Sequence, residues 1–244
     1  AYGFAESGKD YNTVDIGENT LYNIVLPPFK AAADAGVSTF MNAFNELNGI
    51  PSTADKVLQR DILKVSWGFD GFIVSDWGSL KEMIVHGYAR DNTHAGELAL
   101  NCGSDMDMES YIYLSELEAL IENGRVTMEQ IDDAVRRILT VKYELGLFDD
   151  PFRYCDTMRE RRLTGTPEIR AGALDMAKKS IVLLKNDEAV LPLKKQGQTI
   201  ALIGPLAADK NSPLGNWRIA GENNSAVSVP VSYTHLTLPT RLSV

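Results

Sequence analysis

The stretch Gly68-Phe69-Asp70-Gly71-Phe72-Ile73-Val74-Ser75-Asp76-Trp77-Gly78 limits what this chain can fold into more than any other. Its apolar run is short and unbroken and stops at Ser-Asp-Trp-Gly, the pattern of a strand buried on both faces in a parallel sheet. Asp76 then stands at the C-terminal end of that strand. In a βα barrel that end forms the active-site face. Gly71 leaves out a side chain where a neighbour can pack closely, and Gly78 permits a sharp turn into an amphipathic stretch carrying Leu80, Met83, Ile84 and Tyr88. Pattern alone leaves two roles for the carboxylate: a reactive group at a strand tip or, together with Ser75, a cap for the following helix.

The rest of the chain sets that strand in a series. Residues 1–15 read as an irregular loop with Glu6, Asp10 and Asp15 as its acids. From Glu18 the positions Leu21, Ile24 and Val25 follow helical spacing up to Pro27-Pro28, where a break or kink is predicted, and a second helical segment runs from Phe29 to Ala35. Thr39 to Ala43 reads as a strand and Asn45, Asn48 and Gly49 as its loop. Ser52 or Thr53 is the expected cap of a helix with Val57, Leu58, Ile62 and Val65 on its apolar face. Thr93 to Cys102 is predicted helical and closed by Gly103.

The acids of Ser104-Asp105-Met106-Asp107-Met108-Glu109 alternate as in a calcium loop, but Ser110 stands where such a loop needs glycine and the later bidentate glutamate is missing. A short strand with Asp105 and Asp107 on one face is the reading, without metal. Two helices follow, one with Leu114, Leu117, Leu120 and Ile121 that stops at Asn123-Gly124, the next opened by a capping box of Thr127 and Gln130. Strand then helix, repeated, predicts an α/β fold with a parallel sheet covered by helices. Residues 149–167 lack apolar periodicity and read as a linker. Beyond it, a helix through Ala171, Leu174 and Ala177, a strand Ile181 to Leu184 and a strand Thr199 to Ile203 begin another α/β unit.

A net charge of −9 argues against a nucleic-acid footprint, which needs clustered Lys and Arg. Cys102 and Cys155 match no metal-ligand spacing and are expected as free thiols. No apolar run has spanning length, so no membrane partner is expected. The chain opens on Ala-Tyr-Gly-Phe and reads as beginning mid-protein.

Several ordered motifs carry a family resemblance: Asp10-Tyr11-Asn12-Thr13-Val14-Asp15, Leu26-Pro27-Pro28-Phe29-Lys30, Met41-Asn42-Ala43-Phe44-Asn45-Glu46-Leu47-Asn48-Gly49, Gly71 to Gly78, Val141 to Phe148, Val182-Leu183-Leu184-Lys185-Asn186 and Ile203-Gly204-Pro205-Leu206-Ala207. Together they resemble the β-glucosidase branch of glycoside hydrolase family 3, most nearly its periplasmic bacterial type. The resemblance implies that residues 1–148 are the C-terminal part of a TIM-like barrel, 149–167 the linker, and 168–229 the start of an α/β sandwich domain. Residues 230–244 have no counterpart in the family at this point. They are similar to translated sequencing-adapter DNA and are read as a non-native tail, a genuine β-rich tail being the competing reading.

The resemblance further implies a retaining β-glucosidase without cofactor or metal, secreted or periplasmic, with a β-glucoside or oligosaccharide as partner. Such an enzyme needs two carboxyl groups roughly 5 Å apart. Asp76 matches the family's nucleophile. Trp77 and Trp217 fall where the family places aromatic rings around the sugar, and Phe44 where it places an aromatic or apolar rim residue; for each, a plain core role is the alternative. The family's acid/base glutamate falls beyond residue 229 and its Lys-His pair before residue 1, so the chain alone is expected to be inactive and, with an open sheet edge, poorly soluble. A β-xylosidase or β-N-acetylhexosaminidase of the same family, and a non-catalytic carbohydrate-binding or scaffold fragment, stay open.

Overall fold

The structure is a computed structural model that describes residues 4–9, 11–194, 197, 199–215, 217–234 and 240–242. The loop acid Asp10 and the tail residues 235–239, 243 and 244 lie outside the described residues. The chain divides into two compact units, Ala1–Thr157 and Met158–Val244.

In the first unit a short turn, α1 (Glu18–Thr20), widens into a π-helical stretch, Leu21–Val25, and continues as α2 (Leu26–Asp34). Of the break or kink expected at Pro27-Pro28, a break does not occur. The Leu26 N–H reaches back to Leu21 O, so the ladder changes from five-residue to four-residue spacing just before two residues that have no N–H to place. Leu21, Val25 and Leu26 are buried against Val14, Leu47 and Ile62, whereas Ile24 faces outward.

The strand expected after Thr39 is β1 (Thr39–Met41). A small antiparallel hairpin follows, β2 (Glu46–Leu47) with β3 (Ile50–Pro51), where a plain loop was expected. Asn48 and Gly49, both at positive φ, make its two-residue turn, and that Asn-Gly pair was the signal. The next helix, Val57–Ser66, has π spacing. Its first turn is capped by Asp55, whose Oδ1 accepts from Leu58 N at 3.0 Å; neither Ser52 nor Thr53 does this. Wider turns rotate each residue by less than an α-helix does. The face predicted from α-helical spacing therefore drifts, leaving Val57 and Val65 exposed and burying Gln59, Ile62 and Leu63.

β4 (Phe72–Val74) pairs in parallel with β1, in the register Thr39↔Phe72, Phe40↔Ile73, Met41↔Val74. Its Ile73 is buried, but Phe72 and Val74 are only half-buried, so the strand is less enclosed than its sequence implies. Gly71 does admit a close neighbour: a Cβ there would lie 2.2 Å from Ser38 O. The expected third strand shrinks to a single parallel bridge, Val74↔Met106.

Helices α3 (Ser79–Val85), α4 (Asn92–Cys102), α5 (Ile112–Glu122) and α6 (Met128–Glu144) follow, α6 lying against β4, while Leu63 of the preceding helix packs on Ile73. Leu80 and Met83 of α3 pack with Ala95 and Ala99 of α4 and Ile112 of α5 in one core, and Leu100, Leu120, Val126 and Ala134 form the next. The Thr127–Gln130 capping box of α6 is present in both directions. The architecture is mixed α/β with a parallel strand pair, and among the described residues neither a closed barrel nor a sandwich is formed.

The stretch expected to be an irregular linker contains a helix, α7 (Thr157–Leu163). In the second unit α8 (Pro167–Ser180) starts at Thr166, whose Oγ1 accepts from Ile169 N. Ile181 to Leu184 form no strand: the segment is exposed and no neighbouring backbone among the described residues pairs with it. β5 (Ile200–Leu202) does form, and α9 (Val229–Thr234) leads to β6 (Thr240–Leu242), which pairs with β5 in parallel.

Candidate active site

The parallel register brings the ends of β1, β4 and the Met106 segment to one side of the sheet. Asn42 N donates to Val74 O (3.0 Å) and Ser75 N to Met106 O (2.8 Å), so Asn42–Phe44, Ser75–Trp77 and Asp107–Met108 follow neighbouring strand tips. Ser75 is fully buried, and its Oγ accepts from Met108 N at 2.8 Å. Gly78 N donates to Met108 O (2.8 Å) and, at φ +70, turns the chain into α3. The Asp76 segment is thus tied on both sides to the loop after Met106. Neither Ser75 nor Asp76 caps α3 through its side chain.

The half-buried Asp76 accepts from Trp77 N through Oδ1 at 2.7 Å, and among the described residues no donor reaches Oδ2. Two other carboxylates beside these tips, Asp107 and Asp105, are committed to the fold. Asp107 receives Ser110 N on Oδ1 (3.2 Å) and Ile112 N and Tyr113 N on Oδ2 (2.8 and 3.3 Å), where it caps α5 across the left-handed residues Glu109 and Tyr111. Asp105 receives Lys64 Nζ on Oδ1 (2.6 Å) and Ile73 N on Oδ2 (2.8 Å). Asp76, unlike Asp105 and Asp107, keeps an oxygen for a ligand.

Beneath the tips lies a buried polar layer. Asn42 Nδ2 donates to Ser104 Oγ (2.7 Å), Ser104 Oγ to Gln59 Oε1 (2.9 Å), and Gln59 Nε2 to Ser52 O and Thr53 O (2.9 and 3.0 Å). Burial pushes the Lys64 ammonium below its usual pKa and the Asp105 carboxyl above its own, each opposed by the other's charge. Both Asp105 oxygens accept N–H bonds, an arrangement that suits the ionised pair, since a protonated carboxyl needs an acceptor. Burial also pushes the Tyr113 phenol up; its hydroxyl donates to Ser104 O at 2.7 Å.

The expected aromatic residues fare differently. Trp77, beside Asp76, is 49% exposed and presents its indole to solvent. Phe44 is buried, 7% exposed, and stacks on Tyr11 with ring centroids 4.3 Å apart. Tyr11, the more exposed ring of that pair, was not singled out from the sequence. Trp217 is 52% exposed on a turn of the second unit. Lys64 also escaped sequence reasoning, because a basic residue in a helix's last turn looks like a complement to the helix dipole, and Ser75, expected as a possible cap, instead receives Met108 N.

Residues 1–141 match the model of the glycosyl hydrolase family 3 N-terminal domain, and residues 181–237 that of its C-terminal domain. A periplasmic β-glucosidase of Salmonella typhimurium is 46% identical over 237 residues, which is 94% of this chain and 30% of that protein. A β-xylosidase of Formosa agariphila is 38% identical over 231 residues, 90% of this chain and 32% of that protein. The crystal structure of a β-glucosidase from Listeria innocua in complex with glucose superposes with a TM-score of 0.77 at 39% identity, covering 99% of this chain and 33% of that one. The chain thus spans about a third of the length of the relatives it matches.

Proposed function

This chain belongs to glycosyl hydrolase family 3, and from that membership we propose that it is part of a retaining β-glucosidase that removes terminal β-D-glucosyl residues from oligosaccharides or aryl glycosides, with Asp76 as nucleophile. The observation that carries the reading is the Asp76 carboxylate at a strand tip with one oxygen uncommitted, while Asp105 and Asp107 are spent on the fold. Asp76 attacks the anomeric carbon as the bond to the leaving oxygen breaks, and a carboxylic acid from outside this chain protonates that oxygen. Water, deprotonated by the same group, then displaces Asp76 and restores the original configuration. No metal or organic cofactor takes part.

In the same reading Trp77 and Trp217 are platforms for sugar rings, whose C–H faces pack on aromatic surfaces, and Phe44 acts at the rim as the support on which Tyr11 is stacked. Residues 1–148 then form the C-terminal part of a TIM-like barrel, 149–167 the linker, 168–229 the start of an α/β sandwich domain and 230–244 a non-native tail. The enzyme is periplasmic or secreted, a reading supported by its similarity to the periplasmic β-glucosidase of Salmonella typhimurium.

The test is made on the full-length enzyme containing this chain. Asp76→Asn is expected to lower kcat on aryl β-glucosides by at least about 10⁴-fold, the scale of removing a covalent nucleophile. A slow fluoroglucoside substrate should stall as an ester on Asp76, located by peptide mass spectrometry. An ester on another residue, or an Asn variant with full rate, overturns the assignment. The Formosa relative keeps a β-xylosidase in view as the second reading, and a higher kcat/KM on aryl β-xylosides than on glucosides would select it.

A further inference from the structure

We propose that the buried Asp105 positions the nucleophile, setting the height of β4 by taking its Ile73 N–H on a side-chain oxygen, while Lys64 compensates the buried charge. This rests on the reading of Asp76 as nucleophile. Ile73 lies on β4, upstream of Asp76 on the same strand, and is itself almost fully buried. Its two backbone groups are bound by one short segment: Ile73 O accepts from Asp105 N (2.8 Å) and Met106 N (3.1 Å), and Ile73 N donates to Asp105 Oδ2 (2.8 Å). A carboxylate thus stands where a backbone carbonyl would complete a sheet ladder, and an N–H bond to a charged acceptor is shorter and stronger than a neutral one.

Asp105 cannot choose another pose. Lys64 Nζ grips Oδ1 at 2.6 Å and Gly103 O at 2.9 Å, with side-chain exposures of only 5% for Lys64 and 4% for Asp105. Downstream, Ser75 N is bound to Met106 O and Ser75 Oγ receives Met108 N, so the segment that begins at Asp105 follows β4 to the reacting group. Upstream, Arg137 Nη1 donates to Phe69 O (3.1 Å) and Gly71 O (2.9 Å), which fixes the entry to the strand but leaves Ile73 N to Asp105. A strand free to slide along its axis carries Asp76 away from the line of attack, and a misplacement of about 1 Å costs about 10²-fold in rate.

The test compares two double variants of the full-length enzyme that carry no charge in this pocket and differ in one acceptor. Lys64→Met with Asp105→Asn keeps an amide oxygen for Ile73 N–H. Lys64→Met with Asp105→Leu removes it, and apolar replacement of a buried pair generally preserves folding. Each is titrated with a dinitrophenyl fluoroglucoside inactivator, which yields the number of working sites from the burst, the glycosylation rate per site, and the inactivator's KI.

The Asn variant is expected within about threefold of wild type per site, and the Leu variant about 10- to 100-fold slower, both with KI changed less than about twofold. A purely structural pair would lower the burst and leave the per-site rate alone. Equal per-site rates in the two variants, or a difference carried by KI, overturn the inference. Attachment of the label to a residue other than Asp76 in the wild-type enzyme overturns the nucleophile reading instead, and the two failures are separate measurements.

Discussion

Replacing Gly71 by alanine in the full-length enzyme puts a methyl group where β1 and β4 meet. Its Cβ would lie 2.2 Å from Ser38 O, 2.5 Å from Phe69 Cζ and 2.8 Å from Ser38 C. The nearest obstacle is more than an ångström inside the usual contact distance of about 3.5 Å, and it is main chain, so no rotamer change relieves it. Ser38 O is also the acceptor of Phe72 N at 3.2 Å, the bond that starts the parallel ladder.

Overpacking costs about 1–3 kcal/mol, and a lost backbone hydrogen bond adds about 1 kcal/mol. The expected loss is therefore about 3 kcal/mol at the upper end of ordinary substitutions. Two other glycines calibrate it. Gly78→Ala meets nothing within 4 Å but sits at φ +70, for a cost of about 1–2 kcal/mol. Gly96→Ala meets side chains rather than main chain, Ile112 Cγ2 at 2.9 Å, Leu120 Cδ1 at 3.4 Å and Glu116 Cβ at 3.9 Å, and in a helix interior it regains about 1 kcal/mol of propensity, so it should cost less than Gly71→Ala. Urea unfolding followed by tryptophan fluorescence should give a Gly71→Ala midpoint below those of both Gly78→Ala and Gly96→Ala, at unchanged slope. A Gly71→Ala midpoint no lower than that of Gly78→Ala refutes the close approach of β1 and β4.

Asp107→Ala removes the acceptor for Ser110 N, Ile112 N and Tyr113 N and should cost about 1–2 kcal/mol by the same unfolding assay, with Asp107→Asn losing less. The Cys102 thiol is pushed up to about 11 by burial, with Asp55 adding to the shift. In native enzyme it should resist iodoacetamide near neutral pH and react readily once unfolded. The unfolded thiol ionises near 9.0 and the folded one near 11. Its share of the stability is therefore intact below pH 9.0 and is lost as pH rises toward 11, a loss that Cys102→Ser should remove from the pH profile.

Much of the local structure was legible because it rests on neighbours in sequence. The capping box at Thr127 and Gln130, the turn at Gly78, the close packing at Gly71 and the helix from Asn92 to Cys102 all follow from short-range pattern, and the structure has each. The place of Asp76 just past the end of β4 was legible for the same reason, as an apolar run that stops at a carboxylate and a glycine. The Asn48-Gly49 hairpin was legible too and was passed over.

Elsewhere the answer depended on partners the pattern does not name. Pro27-Pro28 read as a break or kink, but the π turn before them changes the ladder's spacing and the helix runs on. Ile181 to Leu184 have every local property of a strand, yet a strand exists only where another backbone supplies its hydrogen bonds, and none is there. Alternation placed Asp105 and Asp107 on one face of a strand, while tertiary contacts gave one to Lys64 and Ile73 and the other to the start of α5. Local sequence thus determined where many of the turns, the Thr127 cap and the Asp76 strand tip stand along the chain. Only the tertiary structure decided which acids are spent and which is left over, because a buried charge or N–H takes whichever partner the fold brings within about 3 Å, however far away it lies in sequence.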